Sequence, residues 1–462
     1  MASSARGLAS TTQQKALYAT CAAIFLLLVA PRARFDPGGI PIYFYDVVGS
    51  LAFGLAYSLP FPSDSYLRRF RALLSALLIL ILVSQINCGV SFTSPTNAAY
   101  MAIRYVTNTL MAVTILKMSA RREGFDLMIK TIIIACTFTA ITTILVSIPA
   151  TRGLVSPLLQ IPILNPNSEW VGRYLASAPS VVRGESLIGT STITGAFLAS
   201  MWPIVACMPF IKVDAKSAWQ RLRVPMSGLV ALGALMTYSR GALVAVGAAC
   251  IVFLLRGSQQ TRRASAALIV AVCAVAYLAP TDSDNFMVDR YSKRFAILAE
   301  GVRAGGEFSS VNEAVRLQSY IDPFTWLASH PRNLVLGVGN SRGNITKGHA
   351  EFPTYKAHAV IPNAMMRFGL LSAALFLSII LLAFNAVGSG QRSDGQRSKQ
   401  AAASIQAMLA AASIWFIVGH AAISTARGYG LTMMMVALAL GVRLHLRQGR
   451  PTGSVIVRPQ GR

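Results

Sequence analysis

The stretch Arg68-Arg69-Phe70-Arg71-Ala72-Leu73-Leu74-Ser75-Ala76-Leu77-Leu78-Ile79-Leu80-Ile81-Leu82-Val83 decides the fold. Three closely spaced arginines give way to an apolar run that continues to about residue 92. A helix needs about 20 largely apolar residues to cross the hydrocarbon of a bilayer. This run has that length, and its basic flank matches the bias that keeps Lys and Arg on the cytoplasmic side.

Eleven further runs of this kind lie at roughly 16–30, 39–60, 98–116, 128–149, 186–211, 224–238, 241–255, 265–279, 369–387, 402–424 and 429–443. Only Ser239-Arg240 separates 224–238 from 241–255, which suits either a kinked hairpin or one long broken helix. The first run follows a polar stretch with Arg6 and Lys15, as a signal peptide would. Pro31 directly after Ala30 disfavours cleavage, so the run is read as a retained span. Composition agrees with a membrane protein. Of 462 residues, 54% are hydrophobic and only 13% are charged, where a soluble globule has about 25% charged. Mean hydropathy is +0.54. A disordered basic chain would be poor in apolar residues. The expectation is an all-α polytopic transmembrane bundle of about 12 spans.

The chain carries 42 Lys+Arg against 17 Asp+Glu, a net charge of +25. With both termini cytoplasmic, the spans collect 24 of the cations and five of the acids on one face. Most of the excess therefore orients the spans and meets anionic membrane lipid, and it is no sign of nucleic acid. The resulting organisation is nine spans over 1–279, an extracytoplasmic cap loop over 280–361, three spans over 362–444 and a basic cytoplasmic tail over 445–462.

In the cap, nine cations nearly balance eight acids. Phe295, Leu298, Ala299 and Val302 repeat at helical spacing, as do Leu317, Tyr320, Ile321 and Phe324. Asp322-Pro323 is an N-cap and first-turn proline for a short helix containing Trp326, and Gly337-Val338-Gly339 reads as a turn. The six cysteines lie in or at the ends of apolar runs without metal-ligand or redox spacing, and no nucleotide or zinc motif is present. No metal or cofactor is expected.

Chemistry must come from the few polar groups of the outer face. Arg240 lies between two apolar runs, where a charge is costly unless paired or wet. Arg316 lies on a cap helix, and His358 lies where the cap re-enters the membrane. Arg427 lies between the last two spans, and Arg183 and Arg367 share that layer. Guanidinium binds phosphate in a bidentate manner and stays charged. Arginines at that depth suit a lipid diphosphate, whose departure they would assist by stabilising the charge developing on it. A neutral imidazole could take the proton of an attacking sugar hydroxyl.

These residues resemble the O-antigen ligase and O-antigen polymerase superfamily of bacterial envelope glycosyltransferases. Tyr238-Ser239-Arg240-Gly241-Ala242-Leu243 is similar to its Ser-Arg-Gly-(Ala/Ser)-Leu motif. The segment from Arg316 through Trp326 and His330-Pro331 to Gly337-Val338-Gly339 resembles its outer-loop pattern. His358 to Gly369-Leu370-Leu371 resembles its entry into the next span. Ala359 stands where asparagine is usual, and Tyr320 where tryptophan is common. The resemblance implies a metal-independent glycosyltransferase of the bacterial inner membrane, fed by an undecaprenyl-diphosphate-linked oligosaccharide. It implies diphosphate binding by Arg240 and Arg316, to which placement adds Arg427 and Arg183, with His358 as the base. Trp326, Tyr320 and Tyr355 would stack on the acceptor glycan. The product is expected to be polymerised repeat units of a surface or exopolysaccharide. The alternative is an O-antigen ligase delivering glycan to lipid A-core or protein. A flippase and a chain-length regulator are the partners such an enzyme would meet. From another class, a transporter or lipid flippase would use Arg104 and Lys130 and the Pro203 break, but would show two similar halves and short outer loops.

Topology is testable by labelling. In a background without native cysteines, Thr346→Cys should react with a membrane-impermeant maleimide on intact cells, and Ser258→Cys only after permeabilisation. The reverse pattern would overturn the orientation.

Overall fold

A computed structural model describes residues 2–91, 93–165, 184, 186–188, 191–207, 218–237, 239–278, 324–339, 360–388, 396–418 and 426–448. Over these residues the chain is an all-α membrane protein. Its helices are α1 (Ala2–Val29), α2 (Phe44–Ala56), α3 (Ser65–Ser91), α4 (Pro95–Ser119), α5 (Arg122–Ser147), α6 (Pro149–Leu159), α7 (Ser191–Cys207) and α8 (Ala218–Met236). They continue with α9 (Arg240–Arg256), α10 (Gln259–Leu278), α11 (Pro331–Leu336), α12 (Val360–Phe368), α13 (Leu370–Gly388), α14 (Gln396–Val418) and α15 (Ala426–Gln448). Each of the twelve apolar runs falls on one of these helices.

Among the described residues, five helices are long and apolar enough to cross a membrane: Thr11–Val29, Ser65–Ser91, Glu123–Ser147, Leu370–Gly388 and Ala426–Leu446. The other helices on apolar runs are shorter or more polar. Helix α4 has 25 residues, but it carries Arg104, Asn108 and several threonines.

Polar residues inside the helices are satisfied locally. Thr114, Ser119, Thr137, Thr143 and Ser147 each donate to the carbonyl four residues back. With no water in hydrocarbon, that bond removes the cost of a bare hydroxyl. Apolar side chains point outward as well as inward, among them Ile79, Ile86 and Val90 on α3 and Leu370, Leu377 and Leu381 on α13. That is the surface lipid would cover.

Helix α15 lies at the centre, buried along almost its whole length. It runs parallel to α4 along a seam of small residues. A Cβ on Gly430 would overlap the Asn108 side chain, and one on Gly441 would meet Ser119 Oγ at 2.8 Å. Both contacts keep the same offset over about three turns, so the register between the two helices is fixed. Tyr429 adds a hydrogen bond of 2.9 Å to Thr109.

Two ends of the bundle differ. At one end, an α1–α2 hairpin with a two-residue antiparallel ribbon (Arg34↔Tyr43, Phe35↔Ile42) closes the helices; this is the hairpin end. At the opposite end, basic groups bond the last carbonyls of helices. Lys117 donates to Ala56 and Tyr57, Arg223 to Ala206, Arg262 to Leu255 and Arg443 to Ala386. Cations are favourable there because the helix dipole leaves partial negative charge on unpaired carbonyls. Arg443 is 1% exposed, pairs with Asp64 at 3.4 Å and lies 3.8 Å over the Tyr66 ring.

Removing one partner of such a pair leaves a buried charge. Asp64→Ala should therefore cost about 3–5 kcal/mol, read as a lowered unfolding midpoint in detergent. The paired replacement Asp64→Leu/Arg443→Met should recover much of that loss.

Candidate active site at the hairpin end

The hairpin end gathers charge around the first turns of α2 and α15 and the third turn of α4. Asp46 lies in the first turn of α2, where a carboxylate is favourable. Arg104, two to three turns into α4, donates through Nε to Asp46 Oδ2 at 2.8 Å and through a terminal nitrogen to the Tyr45 hydroxyl at 2.5 Å. Its guanidinium lies 3.7 Å above the Tyr43 ring. The Arg104 and Asp46 side chains are 10% and 13% exposed. The second carboxylate oxygen of Asp46 is buried and accepts no hydrogen bond from the described residues. Arg34, on the ribbon, pairs with Asp36 at 3.2 Å.

Tyr105, the next residue on α4, is fully buried and meets Tyr429 and Phe368 edge-on, both at 5.3 Å. It thereby joins α4 to α15 and α12. Arg427, the second residue of α15, donates to the Ile188 carbonyl at 2.8 Å. Arg32 and Arg104 both act on Arg427 electrostatically.

The Gly337-Val338-Gly339 segment, expected as a turn, leaves the end of α11 and is laid between the end of α3 and α12. Asn87 donates to the Gly337 carbonyl at 2.6 Å, and Ser84 donates to the Leu336 carbonyl. Val338 and Gly339 donate their amides to the Met366 and Arg367 carbonyls at 2.8 and 2.7 Å. The Arg367 guanidinium returns a bond of 3.3 Å to the Gly339 carbonyl, and burial pushes its pKa down. Both glycines have left-handed φ, +71° and +70°. A Cβ on Gly339 would collide with Cys88 and stand 2.6 Å from the Ser84 carbonyl. The expected short helix containing Trp326 is present at 324–329. His330 stacks on Trp326 at 4.4 Å, and the indole packs near Cys88, Ala98 and Val338. One ring face of Trp326 is thus taken by the loop itself.

The break at 237–239 separates two helices, and Arg240 is the first residue of α9. Ser239 caps it by accepting from the Ala242 amide at 3.4 Å. Gly184 donates to the Met236 carbonyl at 2.9 Å, and α7 approaches closely enough that a Cβ on Gly195 would strike Thr237. The backbone position of Arg240 is therefore tightly held. His358, Arg316, Arg183, Tyr320 and Tyr355 lie outside the described residues, as does most of the cap; the chain resumes at Val360, two residues after His358.

Asp46, Tyr45, Arg32 and Asn87 are not singled out from sequence, and Arg104 only as a transporter feature. The available signal was Asp46, an acid inside an apolar run, together with Arg104, a cation inside another. Two opposite intramembrane charges call for each other.

The fold and this end together define a multi-pass helical membrane protein with an arginine-rich mouth and a long loop anchored beside it. Residues 225–377 match the family model described as O-Antigen ligase, which supports placing the chain in the O-antigen ligase and polymerase superfamily. The match indicates membrane glycosyltransferase activity of that type. It spans Arg240, the anchored Gly-Val-Gly segment and Arg367, and leaves Asp46, Arg104 and Arg427 outside. A search of curated proteins finds no match to the chain.

The loop anchor should be fragile at one atom. Gly339→Ala combines left-handed strain with overpacking and should destabilise by about 2–4 kcal/mol. Gly153→Ala, whose Cβ meets nothing within 4 Å, should leave the unfolding midpoint unchanged or raised.

Proposed function

We propose that the protein joins repeat units of a surface or exopolysaccharide at the extracytoplasmic face, from an undecaprenyl-diphosphate-linked donor. The hairpin end is then the extracytoplasmic end, both termini are cytoplasmic and the chain crosses the membrane about twelve times. Arg240, Arg316, Arg427 and Arg183 hold the donor diphosphate, and His358 takes the acceptor hydroxyl's proton as the glycosidic bond to the diphosphate breaks. The developing diphosphate charge is stabilised by guanidinium groups already in place, which is where such catalysis gains most. Trp326, Tyr320 and Tyr355 stack on acceptor sugars.

One observation carries this assignment. Arg240 and Arg427 open helices that have no acid in their first turn. A cation at a helix N-terminus opposes the helix dipole, whereas an anion bound there is favoured by both the dipole and the guanidinium. The matched family description favours a second possibility, transfer of a finished glycan to lipid A-core or protein.

Arg240→Ala and His358→Ala should each abolish long surface glycan in complemented knockout cells. Loss of a general base costs about 10²–10⁴ in rate. Retention of one repeat unit in the gel profile would indicate a polymerase, and accumulation of complete lipid-linked glycan a ligase. Normal-length glycan in both variants would defeat the glycosyltransferase assignment.

A further inference from the structure

Asn87, near the end of α3, is buried and has both ends of its amide occupied by the loop. Its Nδ2 donates to the Gly337 carbonyl at 2.6 Å, and its Oδ1 accepts from the Arg332 guanidinium at 3.2 Å. A carbonyl can only accept and a guanidinium can only donate, so these two partners fix which way the amide is turned. Aspartate has the same shape but, when ionised, no donor. It would strengthen the contact to Arg332 and set an oxygen lone pair against the Gly337 carbonyl. Leucine would remove the bond and leave that buried carbonyl without its amide donor.

The contact carries across to α12. Directly after Gly337, the Val338 and Gly339 amides end on the Met366 and Arg367 carbonyls. Glycine lets these backbones touch. A Cβ on Gly337 would strike the Arg367 carbonyl, and one on Gly369 would strike the Val335 carbonyl. Helix α12 has nine residues, roughly 12 Å at 1.5 Å per residue. Its last turn is held by the anchored loop, while its first residue, Val360, stands two positions after His358 in the chain. A helix this short is a rigid element, so a shift at one end is passed to the other.

We propose that Asn87 is a positioning residue for the transfer reaction: through the Gly337–Gly339 backbone it sets α12, and with it His358, against the rest of the site. Asn87 lies outside the matched 225–377 segment and reaches it only by packing. The proposal rests on the glycosyltransferase assignment above, with His358 as base. Misplacing a catalytic group by about 1 Å through a distant change costs on the order of 10²-fold in rate.

The test uses the full chain reconstituted with a lipid extract of the knockout strain, which contributes both lipid-linked donor and acceptor. Transfer is timed per folded protein, with the folded fraction taken from the size-exclusion profile of each variant. Asn87→Asp and Asn87→Leu should each slow transfer about 10–100-fold. Asn87→Gln, which keeps an amide, should recover part of the loss. Asn87→Asp is then repeated in a His358→Ala background. Loss of folded protein lowers the rate by the same factor in both backgrounds. Loss of positioning matters only while the imidazole is there, so Asn87→Asp should slow His358→Ala by less than about twofold. An equal loss in the two backgrounds would overturn the proposal and make Asn87 purely structural. So would parent-like transfer by Asn87→Asp. Either result leaves the glycosyltransferase assignment standing, provided Arg240→Ala and His358→Ala remain slow. That assignment fails separately, when His358→Ala itself transfers at the parent's rate, and the proposal then falls with it.

Discussion

The α4–α15 seam is the contact on which the rest of the molecule depends. It can form because Gly430 and Gly441 offer no Cβ, so Asn108 and Ser119 lie directly on the facing backbone. In lipid no hydrophobic force drives helices together, and close approach of small residues takes its place. The seam is parallel and holds one register. Its hairpin end therefore brings Tyr105 against Tyr429, while its far end brings His445 to the Ser119 carbonyl at 2.8 Å. A slip of one residue would turn Tyr429 about 100° away from Thr109.

Charge has different work at the two ends. At the opposite end, Lys117, Arg223, Arg262 and Arg443 sit on the carbonyls where helices finish, so much of the basic excess is satisfied by backbone. At the hairpin end, Arg240 and Arg427 stand at helix starts, where the dipole gives them no support. Positive charge is thus matched to helix ends at one end of the bundle and set against them at the other. The anchored Gly-Val-Gly segment belongs to the same arrangement. It ties the long loop to α3 and α12, next to Arg367, by backbone hydrogen bonds that little but glycine permits.

Much of the fold was legible because apolar runs in a membrane protein have few alternatives to helix. Each run from 16–30 to 429–443 lies on a helix. The number of spans was less legible. Among the described residues α4 is more polar and α7 shorter than the five helices that are long and apolar enough to cross, so an apolar run does not by itself fix a span. Arg240 and Arg427 were legible because an arginine between apolar runs is conspicuous. Asp46 and Arg104 were not, since 58 residues separate two side chains 2.8 Å apart. The glycines of Gly337-Val338-Gly339 were legible as a change of direction, but not the bonds from Asn87 and Arg367 that fix where the segment lies.

By itself, the sequence determined helix, membrane and the family resemblance, since these rest on local apolarity and on short motifs such as Ser239-Arg240-Gly241. The tertiary structure alone decided which charges meet. Packing of α4 and α15 and docking of the α1–α2 hairpin bring Arg32, Asp46, Arg104 and Arg427 to one end of the bundle. The physical reason is that a buried charge is stabilised only by its nearest neighbours in space, and in a bundle of many helices those come from distant parts of the chain.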